Sequence, residues 1–188
     1  MGSRKGNKDL HVPAFALDNP IRRLFENPRM YCERVNRGQV VADLGCGPGY
    51  FTIPLAEKVG ESGRVYAVDS DIKLIQAVER KARKGKLGNI QAHHNSAAEL
   101  GFIPDASVDF VVANGLLCSM VRKAHAQTVS EIKRILKEGG TAHFVAGRGS
   151  WSYVDDEEWE TILAEFKVMN RNYAPYKGDY WAWVGKKE

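Results

Sequence analysis

Residues 40–50 read Val-Val-Ala-Asp-Leu-Gly-Cys-Gly-Pro-Gly-Tyr, an apolar run that ends in an acid and continues into closely spaced glycines. This order predicts a buried strand that leads into a nucleotide-binding turn. Glycines at positions 45, 47 and 49 let backbone N–H groups approach a ligand closely, because no Cβ stands in the way. Pro48 presets φ for the first turn of a following helix. The stretch therefore predicts a site for a ligand with an adenosine end.

The glycine spacing separates this turn from two common nucleotide-binding patterns. A dinucleotide fingerprint counted from Gly45 and Gly47 requires a third glycine at position 50, where the chain has Tyr50. The pattern found, D-x-G-x-G-x-G, makes a short turn with less provision for a pyrophosphate. No Gly-Lys-Ser/Thr follows the glycines, so the sequence does not match the phosphate loop of nucleoside triphosphatases.

Length and composition predict one domain. The chain has 188 residues, 44% of them hydrophobic, which is enough for one full core and too little for two. We expect residues 1–35 to be a disordered start and a lead of two short helices, since Asp18 or Asn19 and then Asn27 precede prolines as helix caps do. We expect residues 36–188 to form one compact unit.

Charge and cysteine usage narrow the partners and the compartment. The net charge of +4 is far from the dense positive stripe that is typical of nucleic-acid binding. The three cysteines lack a C-x-x-C spacing, and His93 and His94 point to opposite faces of a predicted strand, so we predict no disulfide framework and no metal site. The same cysteine usage fits a reducing compartment, so we expect a cytoplasmic protein. No apolar run of about 18 residues is present, so we expect no membrane span. The sequence does not predict an oligomeric state.

Predicted strands and helices alternate along the chain. After the opening strand, further strands are expected at 64–69, 89–94, 107–113, 141–146, 166–173 and 178–184, with helices at 50–59, 71–84, 123–137 and 157–165. This order predicts an α/β fold with a doubly wound, mostly parallel seven-stranded sheet that binds ligands at the carboxyl ends of its strands. The short connection around Pro175 predicts a hairpin, so the last strand should run antiparallel.

Polar residues beside the glycines are candidates for ligand contacts. Asp69 ends the second strand, where an acid accepts hydrogen bonds from both hydroxyls of a ribose. Asp43 either orients the turn through backbone hydrogen bonds or receives an ammonium group of the ligand. Cys46 is favoured as a small side chain that fits the turn over a reactive thiol.

With the final hairpin and Leu-Lys-Glu-Gly-Gly at 136–140, these features make the sequence resemble the class I S-adenosylmethionine-dependent methyltransferases over about residues 36–186. It is most similar to the small-molecule branch that includes the ubiquinone/menaquinone and arsenite methyltransferases, in which Asp-Leu-Gly-Cys-Gly-Pro-Gly and Val-Asp are familiar. The resemblance implies S-adenosylmethionine as the cofactor and methyl transfer by in-line displacement. The expected cofactor contacts are Asp43, Gly45, Cys46, Gly47, Gly49, Asp69, Ser70, Ser96, Ala97 and Asn114.

The sequence departs from the family pattern at two places. Ser96-Ala97 stands where the family usually has Asp-Ala for the adenine, and a hydroxyl lacks the charge-assisted strength of a carboxylate, so Asn95 is a further contributor. Residues 113–120 contain no Asn/Asp-Pro-Pro-Tyr/Phe motif, and Cys118-Ser119 replaces a His-Glu that is often seen in related enzymes. No catalytic base is therefore carried over, which an activated sulfonium donor tolerates when the nucleophile is well positioned.

The candidates for substrate contact are Arg22, Cys118, His125, Trp151 and Tyr153. For Cys118 the competing interpretation is core packing, and for His125 it is a position in the first turn of a surface helix. Cys32 with Cys118 as a pair for trivalent arsenic is a minority interpretation. Trp151 and Tyr153 are expected to form an aromatic wall or lid.

The main hypothesis is methyl transfer to a small molecule. One alternative is an RNA or protein methyltransferase, given the net positive charge of the chain. Another is a non-catalytic S-adenosylmethionine-binding protein, given Ser96 and Cys118-Ser119. The basic run at 80–86 fits either an RNA contact or, as favoured, a solvated helix end. The sequence does not identify the acceptor.

Overall fold

The computed structural model describes residues 9–10, 26–173 and 179–187. Within these ranges the strands are β1 Val40–Leu44, β2 Arg64–Asp69, β3 Ile90–His94, β4 Val108–Asn114, β5 Leu136–Ala146, β6 Lys167–Tyr173 and β7 Tyr180–Gly185. They form one seven-stranded sheet in the order β3-β2-β1-β4-β5-β7-β6. The first five strands pair in parallel, whereas β7 is antiparallel to both β5 and β6. The predicted doubly wound sheet with an antiparallel last strand is confirmed.

The helices within the described ranges are α1 Thr52–Val59, α2 Ile72–Gly85, α3 Leu116–Ser119, α4 His125–Ile135 and α5 Asp156–Ala164, with a 3-10 turn at Arg122–Ala124. Two of them begin at an aspartate cap. Asp71 accepts from Lys73 N at 2.8 Å ahead of α2, and Asp155 accepts from Glu158 N at 3.0 Å ahead of α5. These caps satisfy backbone donors that lack a partner inside the helix. None of the described helices is long and apolar enough to cross a membrane.

Apolar side chains cover both faces of the sheet. The core on the α1 face includes Val41, Phe110 and Val112 from the central strands. Tyr31 and Val35 belong to the same core, with 0% and 1% of their surfaces exposed. Burying a large side chain of this kind stabilises the fold by roughly 1.5–3 kcal/mol. The packed body therefore includes residues ahead of the predicted boundary at residue 36.

Two local predictions differ from the structure. The helix predicted for 123–137 begins after the 3-10 turn and ends at Ile135, because Leu136 takes extended backbone angles and pairs with Val108 as the first residue of β5. The second short helix of the lead is a series of turns, closed by bonds from Met30, Cys32 and Arg34 to the residue three positions earlier. The rest of the predicted helical lead lies outside the described residues.

Candidate active site

The glycine turn lies at the carboxyl end of β1. The N–H groups of Gly45 and Cys46 both donate to the carbonyl oxygen of Val68 on β2, at 2.8 and 3.0 Å. Gly45, Gly47 and Gly49 have φ values of +71°, +55° and +88°. A Cβ at position 45 would lie 3.2 Å from Leu116, so the turn also packs closely against α3. Left-handed backbone and close packing together explain why this turn consists of glycines.

Asp69 is held against the glycine turn. One carboxylate oxygen accepts from Gly47 N at 2.9 Å, and the other accepts from Asp71 N at 2.9 Å. The carbonyl oxygen of Asp69 accepts from Asn95 N at 3.1 Å, which joins the ends of β2 and β3. The acid at the tip of β2 and the turn after β1 therefore form one rigid unit.

Two side chains of the turn region are buried. Asp43 accepts from the Thr52 hydroxyl at 2.6 Å, so it ties the end of β1 to the first turn of α1. This contact agrees with an orienting role for Asp43. Burial, with the nearby Asp43 and Asp69 carboxylates, raises the pKa of the Cys46 thiol well above its ordinary value. Cys46 is therefore a neutral thiol, which fits its role as a small side chain in the turn.

The end of β3 supplies the residues that were expected near an adenine. Ser96 Oγ accepts from Ala98 N at 3.2 Å, while Ser96 N donates to the side-chain oxygen of Asn95 at 2.8 Å. Ala97 is buried beside them. Ser70 is exposed, and its carbonyl oxygen contacts His94 Nε2 at 3.0 Å. These contacts fix the loop after β3 next to Asp69.

Asn114 ends β4 and is connected to the lead. Its Nδ2 atom donates to Glu26 Oε1 at 3.1 Å and to the Tyr31 hydroxyl at 3.2 Å. The same hydroxyl lies 2.9 Å from His143 Nδ1 on β5. The Tyr50 hydroxyl donates to the carbonyl oxygen of Glu26. Sequence reasoning missed Glu26, Tyr31 and His143 as site residues, because the hydrogen-bonded pairs lie 83 to 112 positions apart.

The loop after β4 carries Cys118 in a buried position. The thiol donates to Gly115 O at 3.3 Å, and burial raises its pKa. The Cys32 thiol donates instead to Pro54 O on α1 at 3.5 Å. Both thiols thus bond to backbone carbonyls of different elements, which favours the packing interpretation. Within the described ranges, no group of three or more His, Cys, Asp or Glu side chains is placed to hold a metal ion.

His125 does not face a substrate space. Its ring is 2% exposed, with Nδ1 at 2.7 Å from Glu158 Oε1 and Nε2 at 2.9 Å from Leu117 O. The alternative expectation placed His125 in the first turn of a surface helix, and His125 is indeed the first residue of α4. Its ring is nevertheless buried and links the loop after β4 to α5, with both ring nitrogens in contact with protein oxygens.

Trp151 and Tyr153 occupy different environments. Trp151 is 52% exposed, and its ring covers the backbone of Gly147 and Gly149, where an added Cβ would lie 2.5 Å and 2.9 Å from ring atoms. Tyr153 is buried, and its N–H donates to Cys118 O at 3.0 Å. Of these two side chains, Trp151 is the one that presents a broad aromatic surface. Arg22, the remaining candidate, lies outside the described residues.

Comparison with known proteins identifies the family. The family described as "Methyltransferase domain" matches residues 41–140, which run from β1 to the start of β5. The chain belongs to the class I S-adenosylmethionine-dependent methyltransferases. The resemblance predicted from the glycine turn and Asp69 is confirmed, and the cofactor of this family is S-adenosylmethionine.

Curated relatives of this chain include two bacterial proteins. It is 33% identical over 148 residues to a demethylmenaquinone methyltransferase of Listeria welshimeri, covering 76% of this chain and 61% of the relative. It is 33% identical over 106 residues to the demethylmenaquinone methyltransferase of Geobacillus sp. strain WCH70, covering 56% of this chain and 44% of the relative. The chain thus spans about half of the length of these relatives.

Solved structures share the fold over nearly the whole chain. A SAM-dependent methyltransferase from Aquifex aeolicus superposes with a TM-score of 0.74 at 22% identity, covering 93% of this chain and 97% of that one. A putative rRNA methylase from Clostridium thermocellum gives a TM-score of 0.73 at 22% identity, covering 88% and 96%. At this identity the likeness concerns the fold alone.

The residues present fit the family's cofactor. Gly45, Gly47 and Gly49 keep the turn free of side chains, and the half-buried carboxylate of Asp69 lies directly beside it. A carboxylate at this place suits the two hydroxyls of a ribose. Ser96 is the weaker part of the fit, since its hydroxyl already accepts from Ala98 N.

Proposed function

We propose that this chain transfers a methyl group from S-adenosylmethionine to a small-molecule acceptor by in-line displacement. The observation that carries the proposal is the 2.9 Å hydrogen bond from Gly47 N to the Asp69 carboxylate. This bond joins the turn after β1 and the acid after β2 into one preformed cradle for a nucleoside. The demethylmenaquinone methyltransferases among the relatives support a small acceptor, of quinol or phenol type.

In this proposal, one region at the carboxyl edge of the sheet binds the methyl donor and a second region binds the acceptor. The donor end consists of residues 43–49, 69–70, 95–97 and Asn114. There the backbone of the glycine turn holds the methionine and ribose portions, Asp69 accepts from the ribose hydroxyls, and Ser96 with Ala97 contacts the adenine. Asp43, Cys46 and Ser70 complete the surroundings of the turn. The acceptor end consists of residues 116–120 and 147–153.

The contribution of the protein to the reaction is positioning. When bound, S-adenosylmethionine would supply a methyl group on a cationic sulfur that keeps the bonding pair of the broken C–S bond, and the proton of the methylated acceptor group would pass to water. Holding the acceptor in line with the methyl group lowers the activation free energy of methyl transfer by a large part. The proposal therefore requires no dedicated base. The exposed ring of Trp151 is placed to hold a planar acceptor at the acceptor end. Its apolar surface also excludes water from the reacting groups.

Thermal denaturation with cofactor tests the donor half of the proposal. A ligand that binds only the folded chain raises its stability by about 2.7 kcal/mol at one hundred times Kd. We therefore expect S-adenosylmethionine and S-adenosylhomocysteine to raise Tm by several degrees, whereas adenosine diphosphate at the same concentration should not. An unchanged Tm at millimolar S-adenosylhomocysteine would refute the proposal.

The acceptor half is tested by following formation of S-adenosylhomocysteine with a panel of quinols, phenols, thiols, amines and arsenite. We expect turnover with a quinol or phenol. Binding without turnover on any acceptor would favour the non-catalytic alternative, for which the bonded Ser96 hydroxyl is the supporting feature.

The three cysteines are free thiols in the structure, which supports the expected cytoplasmic compartment.

A methyltransferase for RNA or protein is the second candidate. It is supported by the basic residues of α2, among which Arg80, Arg83 and Lys84 all lie in the last two turns. The solvated-helix interpretation has its own support, since Arg83 pairs with Glu79 at 3.9 Å and Lys81 donates to Pro48 O at 2.6 Å. RNA retention that falls steeply with salt would favour the second candidate.

A further inference from the structure

The Asn114 amide has a defined orientation. Its Nδ2 atom lies within hydrogen-bond distance of both Glu26 Oε1 and the Tyr31 hydroxyl, at 3.1 and 3.2 Å. A carboxylate oxygen only accepts hydrogen bonds, so the NH2 end of the amide must face Glu26. The carbonyl oxygen, on the other arm of the amide, is therefore directed away from these two partners.

The protons of this network run in one direction. The Tyr31 hydroxyl accepts from Asn114, so its own proton is directed to His143 Nδ1 at 2.9 Å. Burial, with a smaller effect of Arg34, lowers the pKa of His143 to about 3, so the ring is neutral at physiological pH. A neutral ring that accepts at Nδ1 carries its proton on Nε2. The network thus donates from Asn114 to Tyr31 and from Tyr31 to His143.

Aromatic packing keeps the network in place. Tyr31 is fully buried and lies edge-on to Phe51, with ring centroids 4.9 Å apart. His143 is stacked on Trp183 at 4.0 Å. Since these rings have little room to change rotamer, the hydroxyl of Tyr31 stays within hydrogen-bond distance of Asn114.

The carbonyl oxygen of Asn114 is the atom left for a ligand. Asn114 is half-buried at the carboxyl end of β4, which pairs in parallel with β1, the strand that leads into the glycine turn. Leu116, two positions after Asn114, is the residue that a Cβ on Gly45 would contact. Within residues 9–10, 26–173 and 179–187, the structure gives Asn114 Oδ1 no hydrogen-bond partner. An acceptor atom fixed at this point suits an N–H or O–H group of a bound reactant.

We propose that Tyr31 and His143 are positioning residues that hold the Asn114 amide, so that its carbonyl oxygen accepts a hydrogen bond from a reactant at the methyl-transfer site. This inference rests on the proposed function. The N–H or O–H group belongs either to the ammonium end of the methyl donor or to the acceptor. In both cases the lead residue Tyr31 acts through Asn114 without touching the reactants.

Matched substitutions separate positioning from simple packing. Tyr31→Phe and His143→Leu break the network, whereas His143→Asn keeps an acceptor near the place of Nδ1. Tyr66→Phe is the control, because Tyr66 is also buried in the sheet and loses only its hydrogen bond from Arg64. Each variant is measured for Tm, for binding of S-adenosylhomocysteine and of 5′-methylthioadenosine, which lacks the ammonium group, and for the side-chain ¹H–¹⁵N signals of Asn114.

We expect the Asn114 amide signals, assigned from their loss in Asn114→Asp, to shift and broaden in Tyr31→Phe and His143→Leu but not in His143→Asn or Tyr66→Phe. A tenfold weaker binding of S-adenosylhomocysteine, with unchanged binding of 5′-methylthioadenosine, assigns the carbonyl oxygen to the ammonium group. If both ligands bind as they bind to the wild type but turnover is tenfold slower, the Asn114 carbonyl oxygen is assigned to the acceptor.

Two results would overturn the inference. One is an unchanged Asn114 amide in Tyr31→Phe, and the other is equal impairment of His143→Asn and His143→Leu, which would indicate packing alone. Failure of the wild-type chain to bind S-adenosylhomocysteine would instead refute the proposed function. The amide signals would still decide whether Tyr31 and His143 orient Asn114.

Discussion

The donor end and the acceptor end of the carboxyl edge are built in different ways. At the donor end, Gly47 and Asp69 lie 22 positions apart in one βαβ unit, and backbone amides hold the acid. At the acceptor end, Leu117 is held by the ring of His125 from α4, whose Nε2 lies 2.9 Å from the Leu117 carbonyl oxygen, and Tyr153 N donates to the Cys118 carbonyl oxygen. The donor end is thus a local backbone structure, whereas the acceptor end is assembled by tertiary contacts.

This difference determines what substitutions should do. Changes at the donor end remove backbone geometry or a charge that the nucleoside requires, so they should appear as lost cofactor affinity. Changes at the acceptor end should spare cofactor affinity and appear in turnover or in the KM of the acceptor. Asn114 lies where the two ends meet and depends on Tyr31 and His143.

The largest effect is expected from Asp69→Ala. The substitution removes an acceptor of ribose hydroxyls and the bonds from Gly47 N and Asp71 N. Hydrogen bonds to a charged group contribute about 1.5–3 kcal/mol each, so the affinity for S-adenosylhomocysteine should fall about 100-fold or more. Titration calorimetry measures the change. Asp71→Asn is the control, because it keeps the α2 cap and should bind within about threefold of the wild type; equal losses in both variants would remove the special role of Asp69.

The next effect concerns the pH dependence of stability. The pKa of His143 is about 3 in the folded chain, below its ordinary value of 6.5. Between these pH values the unfolded chain binds more protons, so the free energy of unfolding falls as the pH drops below 6.5, and no further gain comes above it. From pH 7 to pH 5 the expected loss through this residue is about 2 kcal/mol.

Urea unfolding of the wild type and of His143→Asn at both pH values isolates this contribution. The variant should lose about 2 kcal/mol less than the wild type on acidification, because other titrating groups are common to both proteins. Identical losses would mean that His143 is not held neutral by burial, and the proton pattern inferred for Tyr31 would then fail.

The same contrast, between local backbone structure and tertiary contacts, explains which features could be predicted from the sequence. The glycine turn, Asp69 and the reversed last strand were predictable, because each depends on residue types within a short stretch or on alternation along the chain. The hydrogen bonds of the Tyr31 hydroxyl with Asn114 and His143 were not predictable, because only the folded sheet brings these residues together. The burial of the His125 ring was not predictable for a related reason: no local pattern shows that Glu158, 33 positions away, accepts from it.

Backbone strain at the donor end gives a smaller effect. Gly49 has a φ of +88°, and a Cβ there would lie 3.2 Å from Val78. We expect Gly49→Ala to cost about 1–2 kcal/mol of stability and to lower Tm by roughly 2–8 °C. Gly88→Ala is the matched control, since no atom lies within 4 Å of its added Cβ and its φ is not left-handed. If both variants melted alike, the turn would tolerate side chains and the cradle would not be preformed.

The smallest effect is expected at the acceptor end, from Trp151→Ala. The ring is 52% exposed and rests on Gly147 and Gly149, so its removal should change Tm little. A stacked aromatic contact contributes about 0.5–1.5 kcal/mol, so the KM of a planar acceptor should rise roughly threefold to tenfold.

In Trp151→Ala the affinity for S-adenosylhomocysteine should stay within about twofold of the wild type, by the same margin as in a Met169→Ala control. Met169 is 61% exposed on β6, the edge strand that lies four strand positions from β1, and therefore tests the effect of removing an exposed apolar side chain as such. A loss of cofactor affinity in Trp151→Ala alone would place the loop at 147–151 in the donor end. The loops after β1, β2, β3 and β5 would then all serve the cofactor, and the acceptor end would be reduced to residues 116–120.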